Sequence, residues 1–227
     1  MKIKIKIYLA ASLIWLPLAF SATAQGVAWT QWTSTNANSA AGIMGGVDVS
    51  YSGEVYKYST INNSGSNYWF PAATFTNSLV PISPNFSDVI TLSSNGVCTL
   101  TFSKPVNNLV MDILSLGSIN KPLTPSTYTF NSLFTIFSSG GDPWVPSGIG
   151  SNGTNCALYT ADNYTLSGVE GSGCIVFSGQ VSTLTWTVGN AESYSGFTIG
   201  MVDTPEPGTL ALLGLGGLSL LRFHRRK

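Results

Sequence analysis

The side chains that could carry catalysis are unevenly placed along this sequence. Its only histidine, His224, lies close to the C-terminus. The segment 25–204 therefore has no histidine for a catalytic triad, a general base or a histidine–metal site. Cysteine catalysis lacks its usual partner for the same reason, and no Walker-type or dinucleotide-binding glycine pattern is present. We therefore expect this segment not to be an enzyme.

Carboxylates are the remaining catalytic groups, and the segment 25–204 has nine of them. Glycoside hydrolysis needs two facing carboxylates, so a carbohydrate-active enzyme using two carboxylates is the alternative to a non-enzymatic protein. Asp142, in a Gly-rich turn, and Asp162 could also give oxygen ligands to calcium. Because no Asp-rich ligand loop accompanies them, structural turns are favoured, and we expect no metal site and no cofactor.

Aromatic residues form the candidate binding site. Tyr68, Trp69 and Trp144 lie in a setting rich in Asn, Thr and Asp. Sugar rings stack on exposed aromatic faces while polar neighbours bind their hydroxyls, which is the usual make-up of a small-ligand site. Trp144, between prolines in a Gly-rich loop, is the first candidate for a glycan contact, followed by Tyr68 and Trp69. The alternative is packing in the core, the commoner role of a single tryptophan and the one expected for Trp186.

Three cysteines, Cys98, Cys156 and Cys174, lie in the same segment. Export favours oxidation, and an odd number allows one intramolecular disulfide at most. A Cys156–Cys174 bridge is the candidate, since it closes a short loop flanked by glycines. The alternative is that all three are small buried apolar side chains.

The elements that must position these residues are strands. Apolar residues recur with a period of two, and Gly, Pro, Ser, Thr and Asn interrupt them often. This pattern predicts ten or more short strands and an all-β fold, an antiparallel β-sandwich or jelly roll. Strands are predicted at residues 109–116, 128–137, 157–160, 164–167, 174–178, 184–188 and 196–202.

Two hairpins are predicted before these strands. Residues 47–51 pair with 55–58 after a turn at Ser52-Gly53. Residues 89–92 pair with 97–102 through Asn95-Gly96, because Asn-Gly suits a type I′ turn. In the last of these strands Cys98, Leu100 and Phe102 share one face, Thr99 and Thr101 share the other, and Lys104-Pro105 ends the strand.

The two ends of the chain have the composition of targeting segments. Residues 1–24 have a basic start, an apolar stretch and small residues at Ala22 and Ala24, which predicts a signal peptide cut by signal peptidase. At the other end Pro205, Glu206 and Pro207 precede an apolar run, Gly208 to Leu221. A basic cluster then follows: Arg222, Arg225, Arg226 and Lys227.

The order of proline–glutamate motif, apolar run and basic cluster resembles the PEP-CTERM sorting tail of Gram-negative bacteria that make extracellular polysaccharide. The resemblance implies that an exosortase, a membrane transpeptidase-like enzyme, recognises Pro205, Glu206 and Pro207 and removes the tail. The alternative is a plain C-terminal membrane anchor. Residues 100–106, 113–117, 171–177 and 194–200 also resemble a β-sandwich module of bacterial cell-surface proteins.

Charge separates the ends from the middle. The whole chain is formally neutral, but the segment 25–204 has three basic and nine acidic residues, hence a formal net charge of −6. Nucleic-acid affinity and adhesion to anionic lipid both depend on Lys and Arg. We therefore expect no nucleic-acid partner for this segment.

Four regions follow: a signal peptide (1–24), a β-sandwich domain (25–202), a linker with the Pro-Glu-Pro motif (203–207), and a transmembrane helix with a basic cytoplasmic tail (208–227). By the positive-inside rule the domain lies on the periplasmic side of the inner membrane before processing. We expect it then to reach the cell surface or extracellular matrix, with exosortase, signal peptidase, the inner membrane and extracellular polysaccharide as partners.

Overall fold

The computed structural model describes residues 26–119, 125–150 and 153–203. The predicted signal peptide, the Pro-Glu-Pro motif, the predicted transmembrane helix and the basic cluster lie outside these residues. Within the described part of the chain, no helix has the length and apolar character needed to cross a membrane.

Fourteen strands and one four-residue helix are formed by the described residues, which confirms the all-β prediction. The elements up to residue 92 are β1 (Val27–Trp29), β2 (Gln31–Asn36), β3 (Ser39–Met44), β4 (Val47–Ser52), α1 (Ala72–Phe75) and β5 (Ile90–Leu92). The next are β6 (Gly96–Asn107), β7 (Leu109–Leu116), β8 (Ser126–Phe130), β9 (Phe134–Gly140) and β10 (Ala157–Thr160). The last are β11 (Thr165–Val169), β12 (Gly171–Phe177), β13 (Gln180–Gly189) and β14 (Ser195–Val202).

The strands form two antiparallel sheets. The six-stranded sheet has the order β1-β14-β7-β12-β9, and β5 also pairs with β14, beyond the end of β1. The eight-stranded sheet has the order β10-β11-β8-β13-β6-β4-β3-β2. The two sheets meet where β10 approaches β9, since the Leu158 amide donates to the Ser139 hydroxyl at 2.8 Å.

The main core lies between the two sheets. Cys98, Leu100 and Phe102 of β6 are buried there, while Thr99 is half-buried and Thr101 is exposed on the opposite face. The predicted two faces of this strand are therefore confirmed, as the pleat of a strand with one solvated side requires. Trp186 packs edge-to-face on Phe197 at 5.2 Å, as expected for a core residue.

Strand β7 is buried along its whole length, because a long connection covers the outer face of its sheet. This connection, residues 53–89, carries helix α1 and brings Trp69 and Phe75 against Leu114. Val80 from the same connection packs near Val110. The connection is the element that positions most of the aromatic residues described below.

Both predicted hairpins are wrong in their pairing, although each contains a correctly predicted strand. Strand β4 pairs with β3 through a turn at Gly45-Gly46, and residues 55–58 form no strand. Strand β5 joins the six-stranded sheet and β6 the eight-stranded sheet. Asn95 therefore lies in a crossover between sheets, where its side-chain oxygen accepts the Ala191 amide at 2.7 Å.

Two strand limits also differ from the prediction. Strand β6 continues through Lys104-Pro105 to Asn107, because the pairing of β6 with β13 is irregular there and a proline without an N–H is tolerated at a bulge. The predicted strand 128–137 is two strands, β8 and β9, in different sheets.

Candidate functional site

Five aromatic side chains form a continuous surface row, named here the aromatic row: Tyr56, Tyr58, Tyr194, Trp144 and Tyr68. The ring centroids of Tyr56 and Tyr58 are 5.3 Å apart, and those of Tyr58 and Tyr194 are 6.2 Å apart. Trp144 lies edge-to-face on Tyr194 at 5.3 Å and is stacked on Tyr68 at 5.5 Å. The row thus joins residues from three separate loops into one surface.

Trp144 is held in the row by a turn that Asp142 organises. The Trp144 and Val145 amides both donate to Asp142 Oδ1 at 2.9 Å. A side chain at Gly141 would collide with the Val145 carbonyl, so the tight loop needs glycine there. The indole is 50% exposed, so the turn fixes the ring without burying it, as predicted for a surface contact.

The two predicted glycan contacts at positions 68 and 69 differ in their burial. Tyr68 is half-buried and joins Trp144 in the aromatic row. Trp69 is 2% exposed, packs edge-to-face on Phe75 at 5.4 Å and donates its indole N–H to the Asp88 carbonyl at 3.3 Å. The prediction of Trp69 as a glycan contact is therefore wrong, since neighbouring side chains in extended backbone point in opposite directions. Trp69 instead anchors Tyr68.

Tyr56 and Tyr58 are fixed by a turn that rests on β5. The Tyr56 amide donates to the Thr91 carbonyl at 2.8 Å, and the Thr91 hydroxyl donates to the Tyr56 carbonyl at 3.2 Å. The Ser59 amide closes the turn on the Tyr56 carbonyl at 2.9 Å. Sequence reasoning missed both tyrosines and Tyr194, because their role depends on loops that are far apart in the chain.

A cleft of about 590 Å³ adjoins the Tyr56 end of the row. Its volume lies within the range of small-ligand sites. Polar side chains of Asn38, Ser94 and Asn95 line it, together with Tyr56 and Lys57. The aromatic row therefore leads into a polar cleft.

Glu54 is the acidic residue of the cleft lining. Its Oε2 accepts the Ser93 and Ser94 amides at 2.7 and 2.8 Å, and its Oε1 accepts the Ser93 hydroxyl. Burial by itself raises the pKa of Glu54, but these hydrogen bonds outweigh it and lower the pKa below its usual value. The ionised carboxylate thus stabilises the crossover between β5 and β6 by accepting these hydrogen bonds.

Two carboxylates, Asp142 and Glu170, are close enough for the charge of Asp142 to act on Glu170. Burial raises the pKa of both, and the charge of Asp142 raises that of Glu170 further. Ser115 and Ser172 link them: the Ser115 hydroxyl donates to Glu170, the Ser115 amide donates to Ser172, and the Ser172 hydroxyl donates to Asp142 at 3.4 Å. Asp142 is fully buried, so its carboxyl supports the loop.

The two calcium candidates are both turn-forming residues. Asp142 Oδ1 accepts two amides, as described, and Asp162 Oδ1 accepts the Tyr164 and Thr165 amides at 2.9 and 2.7 Å. Among the described residues, no three His, Cys, Asp or Glu side chains come together as a metal site.

The cysteines are free thiols in the structure, and all three are buried. The predicted Cys156–Cys174 disulfide is not formed there, and the arrangement matches the alternative of three buried side chains. Cys98 accepts the Tyr51 hydroxyl at 3.1 Å, and burial raises the pKa of its thiol to about 11. A thiol with such a pKa stays protonated at neutral pH, so it is a poor nucleophile.

Comparison with protein families identifies the C-terminal segment. Residues 203–227 match the PEP-CTERM protein-sorting motif. The PEP-CTERM match confirms the resemblance seen at Pro205, Glu206 and Pro207, and it indicates an exported, membrane-processed protein sorted by an exosortase. It begins where the described β domain ends. Searches of curated proteins and of solved structures found no match to the chain.

Proposed function

We propose that this protein is a surface or extracellular-matrix protein whose β domain binds polysaccharide without hydrolysing it. Exosortase sorting through the PEP-CTERM tail delivers it. Before processing, the domain lies on the periplasmic side of the inner membrane, held by the apolar run and the basic cluster. Signal peptidase removes residues 1–24, and the domain then reaches the cell surface or the matrix.

The aromatic row is the observation that carries the binding proposal. Its five rings are in continuous contact, with centroid distances between 5.3 and 6.2 Å. Trp144 and Tyr58 are about half exposed, at 50% and 54%. Singly exposed apolar side chains are ordinary, but a contiguous exposed apolar patch marks an interaction site. An extended row suits a chain of sugar rings better than a single sugar.

Binding is favoured over hydrolysis by the state of the acidic residues. The alternative, a carbohydrate-active enzyme, needs two carboxylates that reach the substrate. Burial raises the pKa of both Asp142 and Glu170, and the charge of Asp142 raises that of Glu170 further, so they are the candidates for that role. Asp142, however, is fully buried and has both oxygens engaged in hydrogen bonds.

A glycan array combined with a hydrolysis assay tests the proposal. The protein is used in the form that its host exports, and both assays use the same glycans. We expect binding to linear polysaccharides without release of new reducing ends. Turnover that is abolished by Asp142→Asn or Glu170→Gln would establish the enzymatic alternative. Silence in both assays would contradict the binding proposal and favour a purely structural role.

A further inference from the structure

Lys57 lies at the Tyr56 end of the aromatic row, with its ammonium group over two rings. The distance from Nζ to the ring centre is 4.9 Å for Tyr58 and 5.6 Å for Tyr56. The negative face of an aromatic ring attracts a cation at such distances. Because the side chain is exposed, the rings fix a positive charge on the surface along which a ligand would lie.

Positive charge is scarce on this domain. The described residues include nine acidic side chains but only two lysines, Lys57 and Lys104. Within the described part of the chain, Lys57 has no ion pair with a carboxylate. Of the two lysines that the structure describes, one is therefore placed on the aromatic row and lacks an acidic partner among the described residues.

We propose that Lys57 binds a carboxylate of the ligand. This inference rests on the proposed glycan-binding function and names the class of glycan. The aromatic row and the adjoining cleft take a linear, mostly neutral polysaccharide that carries isolated carboxylates, as uronic acid residues do. Sugar rings stack along the row, and one carboxylate pairs with Lys57.

The charge of the domain sets the density of carboxylates that it accepts. The segment 25–204 has a formal net charge of −6, so a densely charged polyanion is repelled. A single acidic sugar in each repeat avoids most of this repulsion and still meets the one cation of the row. The Glu54 carboxylate in the cleft already accepts hydrogen bonds from Ser93 and Ser94, and Asn38, Ser94 and Asn95 offer groups for sugar hydroxyls.

Gellan, a linear glycan with one glucuronate in each repeat, is the probe. Calorimetry compares native gellan with carboxyl-reduced gellan on the exported protein and on Lys57→Gln, Lys57→Arg and Lys104→Gln. We expect native gellan to bind about threefold to fivefold more tightly than the reduced form, as an exposed ion pair provides. Lys57→Gln should lose this preference, so that it binds native and carboxyl-reduced gellan equally. Lys57→Arg and Lys104→Gln should retain it.

The outcomes distinguish this inference from the proposed function. If native gellan binds no more tightly than its reduced form, the inference is wrong, and the glycan array alone then decides whether the domain binds polysaccharide. A preference that survives in Lys57→Gln also overturns the inference, because the carboxylate is then recognised elsewhere. If the array shows no ligand, the proposed function fails as well.

Discussion

Asp112 is an unfavourably placed ionisable residue, because its carboxyl is fully buried. It lies on β7 between Thr198 of β14 and Cys174 of β12. Neither carboxyl oxygen has a hydrogen bond of good geometry. Burial raises the pKa of Asp112 well above its usual value, although the neighbouring Cys174 thiol partly offsets this rise. The buried carboxyl is therefore more stable when protonated.

Asp112→Asn tests this state through the pH dependence of stability. The folded protein keeps a proton on Asp112 that the unfolded chain releases above about pH 4, so this group makes folding less favourable as pH rises through that region. The loss reaches at most about 1.4 kcal/mol per pH unit. We expect Asp112→Asn to be more stable than the wild type at neutral pH and to lose this advantage as the pH falls towards 4. Urea denaturation between pH 3 and about 8 measures it.

Asp162→Asn is a control of opposite sign. Hydrogen bonds from the Thr165 and Tyr164 amides lower the pKa of this exposed residue. Its carboxylate stabilises the fold at neutral pH, and that contribution disappears as the pH falls through its lowered pKa. Asp162→Asn should thus be less stable than the wild type at neutral pH, with a difference that shrinks on acidification. The same sign for both variants would refute the assignment for Asp112.

At the scale of elements, the structure contains two similar aspartate turns that position different parts of the chain. Asp142 and Asp162 each accept two amides of the following residues. The Asp142 turn carries Trp144 into the aromatic row, whereas the Asp162 turn joins β10 to β11. The carbonyls of the Asp162 turn accept the Phe130 and Phe134 amides, away from the row. Asp142→Ala leaves two amides and the Ser172 hydroxyl without their acceptor, which costs about 1–3 kcal/mol of unfolding free energy.

Substitutions in the two turns should differ in their effect on glycan affinity. We expect Asp142→Ala to weaken binding about tenfold, because Trp144 loses its fixed place, and tenfold corresponds to about 1.4 kcal/mol. Asp162→Ala should leave the affinity unchanged. Calorimetry with the strongest glycan of the array measures both variants. Equal affinity in Asp142→Ala and the wild type would show that the turn does not position the ligand-binding surface.

The alternation of apolar residues made the strands predictable, but it could not define their partners. Residues 97–102 have the predicted buried and exposed faces because the pleat alone dictates them. Their partner strand is set by the crossover at Asn95. There the Asn95 side chain accepts the Ala191 amide, and the neighbouring backbone amides donate to the Glu54 carboxylate, so both partners are far away in sequence. An Asn-Gly pair is compatible with both a type I′ turn and a crossover, so the pair alone could not distinguish a hairpin from a connection between two sheets.

The candidate site shows the same limit. Trp144 was predictable from its Pro- and Gly-rich loop, because such a loop cannot bury a large ring easily. The sequence could not show which of Tyr68 and Trp69 is buried. Their orientation depends on the outer face of β7, which Trp69 covers. Tyr194 and Tyr58 meet only because two loops converge. Local sequence carries no signal for such a contact.

For the whole molecule, the sorting signal and the proposed binding surface lie in separate parts of the chain. The PEP-CTERM match covers residues 203–227, and the described β domain ends at residue 203. The tail is the sorting signal, and the β domain is the part of the protein that is exported. The formal net charge of −6 on the segment 25–204 disfavours unspecific adsorption to polyanions. The central claim is that this domain binds polysaccharide through its aromatic row.

Calorimetric titration of the exported protein with the strongest glycan of the array tests that claim most directly. The variants are Trp144→Ala and, as a matched control, Tyr164→Ala, which removes an exposed aromatic ring outside the row. We predict at least about a tenfold loss of affinity for Trp144→Ala, the loss of a central contact residue, with an unchanged circular dichroism spectrum, and no loss for Tyr164→Ala. Equal affinities for the wild type and a folded Trp144→Ala would contradict the account.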